Sequence, residues 1–260
     1  MPKRDVTPNG APIWIDLVSS DTAKSRAFYG ELFGWEFGEA QEQFGGYTNA
    51  TKDGLPIAGL MNKTPEMGEI PDLWSVYLCT DDIKQVADDV PTNGGTVSVP
   101  PMDVADLGTM AVLADAGGAM IGAWQPGEHK GFGLLEEPGT PSWFELHTRD
   151  YDASVRFYER VFGWETFVVA DAPEFRYTTR ADGPGGMLAG VMDAAAFLPE
   201  GVPAHWSIYF EVDDVDAALA RTVELGGSII RPGEDTPYGR LAQAADSTGA
   251  LFKLRTSPAA

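Results

Sequence analysis

A chain of 260 residues, 43% hydrophobic and 22% charged, has ordinary globular composition, which argues against intrinsic disorder. Its formal net charge of −21 argues against nucleic acid and anionic membrane surfaces as partners, because phosphate would repel it, and is read chiefly as a solubility feature. The single cysteine, Cys79, rules out an intramolecular disulfide and a cysteine-only zinc site, and fits a reducing compartment.

The opening MPKRDVTPNGAP lacks the apolar core of a secretory leader, and no stretch reaches the roughly 18 apolar residues of a membrane span. The expectation is a cytoplasmic protein. A period-two pattern predicts a strand over 13–17. Ser20-Asp21 then caps a helix over 22–32 that Gly34 ends, and short strands follow at 35–37, 47–51 and 57–61. A second unit opens with a strand over 74–79, continues with a helix from Asp81-Asp82 to about Val90, turns at Gly94-Gly95, and ends in strands near 96–99, 110–114 and 119–124. The stretch QPGEHKGFGLLEEPGT reads as a linker.

After the linker the pattern recurs. PIWIDLVSSDTAKSRAFYGELFGWE at 12–36 matches PSWFELHTRDYDASVRFYERVFGWE at 141–165, placing Trp14 with Trp143, Asp16 with Glu145 and Asp21 with Asp150. Downstream, Trp74-Ser75 matches Trp206-Ser207, and Asp115-Ala-Gly-Gly-Ala119 matches Asp246-Ser-Thr-Gly-Ala250. A repeat of this length marks duplication of a folded unit large enough to bury its own core. The predicted division is 1–125, a linker at 126–140, and 141–260. Any chemistry needed in both halves should then appear twice.

Two strand-helix-strand-strand-strand modules per half, with the FYxxxFGWE helix end, the WSxYxxxDD strand entry and the DxxGA strand pair, resemble the vicinal oxygen chelate superfamily. That superfamily includes glyoxalase I, extradiol dioxygenases and bleomycin-resistance proteins. The resemblance covers nearly the whole chain and looks closest to tandem two-domain actinobacterial members. It implies an α+β fold of paired βαβββ modules, each pair curling a mixed sheet into a U with helices on the convex side and ligand in the concave cup. Joined halves would supply the pairing that single-domain relatives obtain by dimerising, so either a monomer or a homodimer is compatible with it.

Alternation sorts the faces. Ile13, Ile15 and Leu17 belong under the helix, which leaves Trp14, Asp16 and Val18 in the first cup; Trp143, Glu145 and His147 are their counterparts. Tyr77 and Tyr209 share those faces, as do Trp124 and Arg255 on the last strands. Where the resemblance implies metal-ligating His or Glu, this chain carries Trp14, Trp143, Ser75, Ser207, Gly122 and Lys253. Indole has no accessible lone pair, glycine has no side chain, and an ammonium repels a cation. The expectation is therefore no metal and no cofactor.

The cups instead present aromatic rings with a few polar groups, which suit a planar aromatic small molecule. The candidate ligand-binding residues are Trp14, Asp16, Tyr77, Trp124, Trp143, Glu145, His147, Tyr209 and Arg240, with Tyr47, Met110 and Met187 nearby. Trp14 and Trp143 serve equally well as packing between the halves. The function this implies is metal-free sequestration of a hydrophobic aromatic metabolite or antibiotic, in resistance or as an accessory to natural-product biosynthesis. The alternative is a glyoxalase-like lyase or dioxygenase with an irregular metal site around Glu145, His147 and Glu211. A third reading is a structural or interaction protein with a vestigial cup.

Overall fold

The computed structural model describes residues 6–180 and 188–257, so Met187 lies outside the described residues. The first half contains β1 (Pro12–Ser19), α1 (Thr22–Phe33), β2 (Glu36–Phe37), β3 (Thr48–Lys52), β4 (Leu55–Asn62), β5 (Leu73–Cys79), α2 (Ile83–Thr92), β6 (Thr96–Val104), β7 (Gly108–Ala114) and β8 (Met120–Pro126). The second contains β9 (Pro141–Thr148), α3 (Tyr151–Val161), β10 (Thr166–Ala172), β11 (Phe175–Arg180), β12 (Ala189–Asp193), β13 (His205–Glu211), α4 (Val215–Glu224), β14 (Ser228–Thr236), β15 (Gly239–Ala245) and β16 (Leu251–Thr256).

Each half builds one eight-stranded mixed sheet. The orders are β2-β3-β4-β1-β5-β8-β7-β6 and β10-β11-β12-β9-β13-β16-β15-β14, the same path twice. The α+β architecture is that of two tandem modules-pairs, as the repeat predicts. Local signals act as expected: Asp21 caps α1 by accepting from the Lys24 N–H, and Gly34 ends it in the left-handed region at φ 71°.

The core is less divided than the repeat suggests. Helix α1 of the first half packs against the second: Phe33 lies 5.0 Å from Phe210, and Phe28 6.1 Å from Phe252, between ring centroids. Trp74 on β5 meets Phe210 at 5.6 Å. The polar contacts cross in the other direction. Tyr158 on α3 donates to Asp115 Oδ2 at 2.8 Å, and Trp164 donates to the Gly10 carbonyl at 2.8 Å. Thus the FY-FGWE signature of one half meets strands or turns of the other. Aromatic side chains this large bury most of their area only where two apolar faces meet.

Candidate functional site

The first cup is built around Asp16. β1 lies between β4 and β5, which sets Asp16 beside Gly59 and Ser75 and sets Trp14 beside Tyr77. Tyr47 donates to Asp16 Oδ1 at 2.6 Å, and the Trp14 indole N–H donates to the same oxygen at 3.0 Å and to the Tyr47 hydroxyl at 2.8 Å. The Tyr77 hydroxyl also bonds Asp16. Burial pushes the Asp16 carboxyl up to about 6 despite these donors. Burial and the adjacent carboxylate push Tyr47 and Tyr77 well above the ordinary tyrosine range, so both remain donors.

The second cup repeats this cage and adds to it. Trp143 donates to the Tyr177 hydroxyl at 2.8 Å; Tyr177 donates to Glu145 Oε2 at 2.9 Å, and Tyr209 to Oε1 at 2.8 Å. Lys253 occupies the position of Gly122, each being the β-partner of the cup tyrosine. Its Nζ donates to Glu145 Oε1 at 2.9 Å, to His147 Nε2 at 2.7 Å and to the Tyr209 hydroxyl at 2.8 Å. His147 Nε2 also lies 2.7 Å from Glu145 Oε1. With its proton on Nδ1 the ring accepts from the ammonium; with it on Nε2 the ring donates to the carboxylate.

Burial alone would raise the Glu145 carboxyl, but the Lys253 charge and the His147 contact more than reverse this and hold it well below the usual carboxylate range. Burial pushes the His147 imidazolium down, assisted by Lys253 and opposed by Glu145, so the ring is neutral at pH 7. Burial likewise lowers the Lys253 ammonium, with Glu145 opposing the shift.

Glycines make room for both cages. A Cβ on Gly59 would lie 1.8 Å from the Tyr47 hydroxyl and 2.2 Å from Asp16 Oδ1; one on Gly190 would lie 2.3 Å from the Tyr177 hydroxyl. Gly122 is required for a related reason, since its Cβ would fall 2.2 Å from the Tyr77 ring. In the second half the Lys253 side chain fills that volume, and its ammonium sits 4.5 Å from the Tyr209 ring centroid.

The linker distinguishes the cups further. His129 meets the Trp14 ring edge-on at 4.4 Å and the Trp124 ring at 5.5 Å, and its carbonyl accepts from the Trp124 indole at 3.1 Å. Phe132 lies 5.6 Å from Trp14. Trp14 and Trp124 are therefore covered by their own chain. Burial lowers His129 to about 4, and its Nε2 has no hydrogen-bond partner.

Of the expected site residues, Trp14, Asp16, Tyr77 and Trp124 gather in the first cup, and Trp143, Glu145, His147 and Tyr209 in the second. Arg240 joins neither. Its guanidinium pairs with Asp216 of α4 at 3.0 Å and with Asp235 at 2.9 Å. Along β15, Leu241 and Gln243 share the face of Arg255 and Lys253, so Arg240 falls with the buried Ala242 and Ala244 on the helix side. Glu211 is also separated from His147. His147 is the β-partner of His205, and Glu211 lies six residues further along β13, about 20 Å away.

The donor set does not suit a divalent cation. No group of three or more His, Cys, Asp or Glu among the described residues is arranged to hold one. In the second cup an ammonium already occupies the point where the Glu145 and His147 lone pairs converge. A cavity of about 440 Å³ opens beside this cluster, bounded by Ser75, Tyr77 and Gly122 of the first half and by His205, Ser207 and Lys253 of the second.

Three residue groups escape a reading of strand faces alone: Tyr47 with Tyr177 as carboxylate partners, Gly59 with Gly190, and His129. The first two carried a signal, because Ala58-Gly59-Leu60-Met61 recurs as Ala189-Gly190-Val191-Met192 and Tyr47-Thr48 as Tyr177-Thr178. The apolar GFGLL within the linker hinted at the third.

The family model for the Glyoxalase/Bleomycin resistance protein/Dioxygenase superfamily matches residues 12–122 and again 140–254. The chain belongs to this superfamily. Among superfamily members it is 36% identical over 260 residues to the putative glyoxylase CFP32 of Mycobacterium bovis, covering 98% of this chain and 97% of that one. It is 36% identical over 259 residues to the anthracycline biosynthesis protein DnrV of Streptomyces peucetius, covering 94% and 92%. In structure it resembles the 2,3-dioxygenase LapB of Pseudomonas sp. KL28, with a TM-score of 0.68, 12% identity, and coverage of 98% of this chain and 94% of that one. It also resembles the Mn(II)-bound glyoxalase of Novosphingobium aromaticivorans, with a TM-score of 0.67, 14% identity, and coverage of 95% and 82%. At such identities these structural likenesses concern the superfamily fold alone. No helix among the described residues is long and apolar enough to cross a membrane.

Proposed function

We propose that the chain is a metal-free binding protein for a planar, hydrophobic aromatic metabolite, seated in the second cup and the adjoining cavity. The observation that carries this reading is the Lys253 ammonium bonded to both Glu145 and His147, a cation supplied by the chain where a divalent ion would otherwise be needed. The Tyr209 ring lies 4.5 Å from that ammonium, Trp143 and Tyr177 complete the cage around Glu145, and the adjoining cavity is of a size that holds a small ligand. The similarity to a protein of anthracycline biosynthesis supports a role in handling a fused-ring natural product, for resistance or as a pathway accessory. The covered rings of the first cup favour one ligand per chain.

Calorimetric titration with 9,10-anthraquinone-2-carboxylate tests the reading. The expected result is one site per chain, unchanged by a chelator and lost on replacing Trp143 with Ala. A tightly held divalent ion, whose removal abolishes binding, would overturn it. The metal-dependent lyase or dioxygenase alternative has less support, because Glu211 is too distant to join Glu145 and His147 around one ion.

A further inference from the structure

Following partners outward across the second sheet gives a row on the cup face: Trp143, Tyr209, Lys253, Gln243 and Arg231. The same path in the first sheet runs Trp14, Tyr77, Gly122, Val112 and Val99. One row ends in an ammonium, an amide and a guanidinium; the other ends in glycine and two valines. The next row diverges similarly. Glu211, Arg255, Leu241 and Glu234 stand opposite Cys79, Trp124, Met110 and Met102. The first cup thus presents no cation along these rows, while the second presents Lys253, Arg255 and Arg231, on a chain whose net charge is −21.

These cations are not equally committed. Each donor of Lys253 is spent on Glu145, His147 or Tyr209. Arg255 Nε is buried and makes no hydrogen bond, with Glu211 Oε2 at 4.0 Å. Arg231 is exposed on the outer strand, and no carboxylate among the described residues forms an ion pair with it. Glu234, also exposed, bonds neither arginine. A buried guanidinium nitrogen without an acceptor is costly unless a ligand provides one. Gln243, the β-partner of both Arg231 and Lys253, lines the cavity.

On the binding role argued above, we propose that the second cup selects an aromatic ligand bearing an ionised acidic group, a carboxylate or phenolate, held by Arg231, Arg255 and Gln243. The ring system lies toward Trp143 and Tyr209 and the anion toward β15. A guanidinium offers paired donors to a carboxylate, and such charge-assisted bonds are stronger than neutral ones.

Titration of the full chain with 9,10-anthraquinone-2-carboxylate and with 9,10-anthraquinone-2-carboxamide tests this. The carboxylate is expected to bind on the order of tenfold more tightly, the difference narrowing with added salt. Arg231→Gln and Arg255→Gln should each bring the ratio toward one; Arg231→Gln, at an exposed position, serves alone if the second variant does not fold. Equal affinities, tighter carboxamide binding, or a ratio unmoved by Arg231→Gln would overturn the proposal while leaving the binding role intact. Failure of both ligands to bind would remove the binding role and this inference together.

Discussion

The two cups start from one plan and end with opposite electrostatics. In the first, Asp16 is held by Tyr47, Tyr77 and Trp14 with no cation beside it, and His129 of the linker covers the indoles. In the second, the equivalent Glu145 is neutralised by Lys253 and bonded by His147. A buried carboxylate without a cation takes up a proton more readily; one with a cation holds its charge. The duplicated cage is therefore a scaffold, and the residue at the Gly122/Lys253 position decides whether its buried carboxylate is paired with a cation. In the proposed binding role the arginines of the second cup act on the ligand, and the first cup is its structural counterpart.

The largest test of this contrast is Lys253→Ala. It leaves Glu145 buried without its cation and should cost about 3–5 kcal/mol in urea unfolding. Adding Glu145→Gln should restore part of the loss; strictly additive losses would break the pairing.

A second test uses acid. Folded Asp16 keeps its proton up to about pH 6, whereas the unfolded chain releases it near 3.8. Between those values the folded state binds more protons, so its stability falls as pH rises, by about 3 kcal/mol across the window. Glu145 acts oppositely: its depressed carboxyl contributes stability above the unfolded value of 4.5 that is lost as pH falls further. Asp16→Asn should remove the first dependence in urea midpoints measured across the window and leave the acid-side loss. An unchanged pH profile would contradict the placement of Asp16.

Gly59→Ala and Gly190→Ala come next, each displacing a cage tyrosine at a cost of about 1–3 kcal/mol. Only Gly190→Ala should also weaken ligand binding; a loss of affinity in Gly59→Ala would return function to the first cup. The smallest stability effect is expected from His129→Ala, about 1 kcal/mol for a lost aromatic contact. Its readout is stoichiometry, since uncovering Trp14 and Trp124 should let the first cup take a neutral aromatic in calorimetric titration.

Much of the framework was legible as pattern. The period-two alternation of Ile13, Ile15 and Leu17 against Trp14 and Asp16 assigned faces, because successive side chains on a strand point to opposite sides whatever lies beyond them. Arg240 shows the limit of reading position without parity: one residue from Leu241, it faces α4 instead of the cup. His129 shows another, since a linker residue carries no periodicity to reveal what it will cover.

The sequence by itself determined the duplication, the superfamily fold, and the absence of metal-ligating side chains at the positions where the resemblance expects them. These properties live in local spacing and residue chemistry. Only the tertiary structure decided that Lys253 stands on Glu145 and His147, that His129 covers Trp14, that Arg231 joins Arg255 on the second cup face, and that Tyr158 of one half bonds Asp115 of the other. Those contacts depend on strand register and on how two curved sheets meet, which bring together residues distant in the chain, 108 positions for Lys253 and Glu145 and 43 for Tyr158 and Asp115.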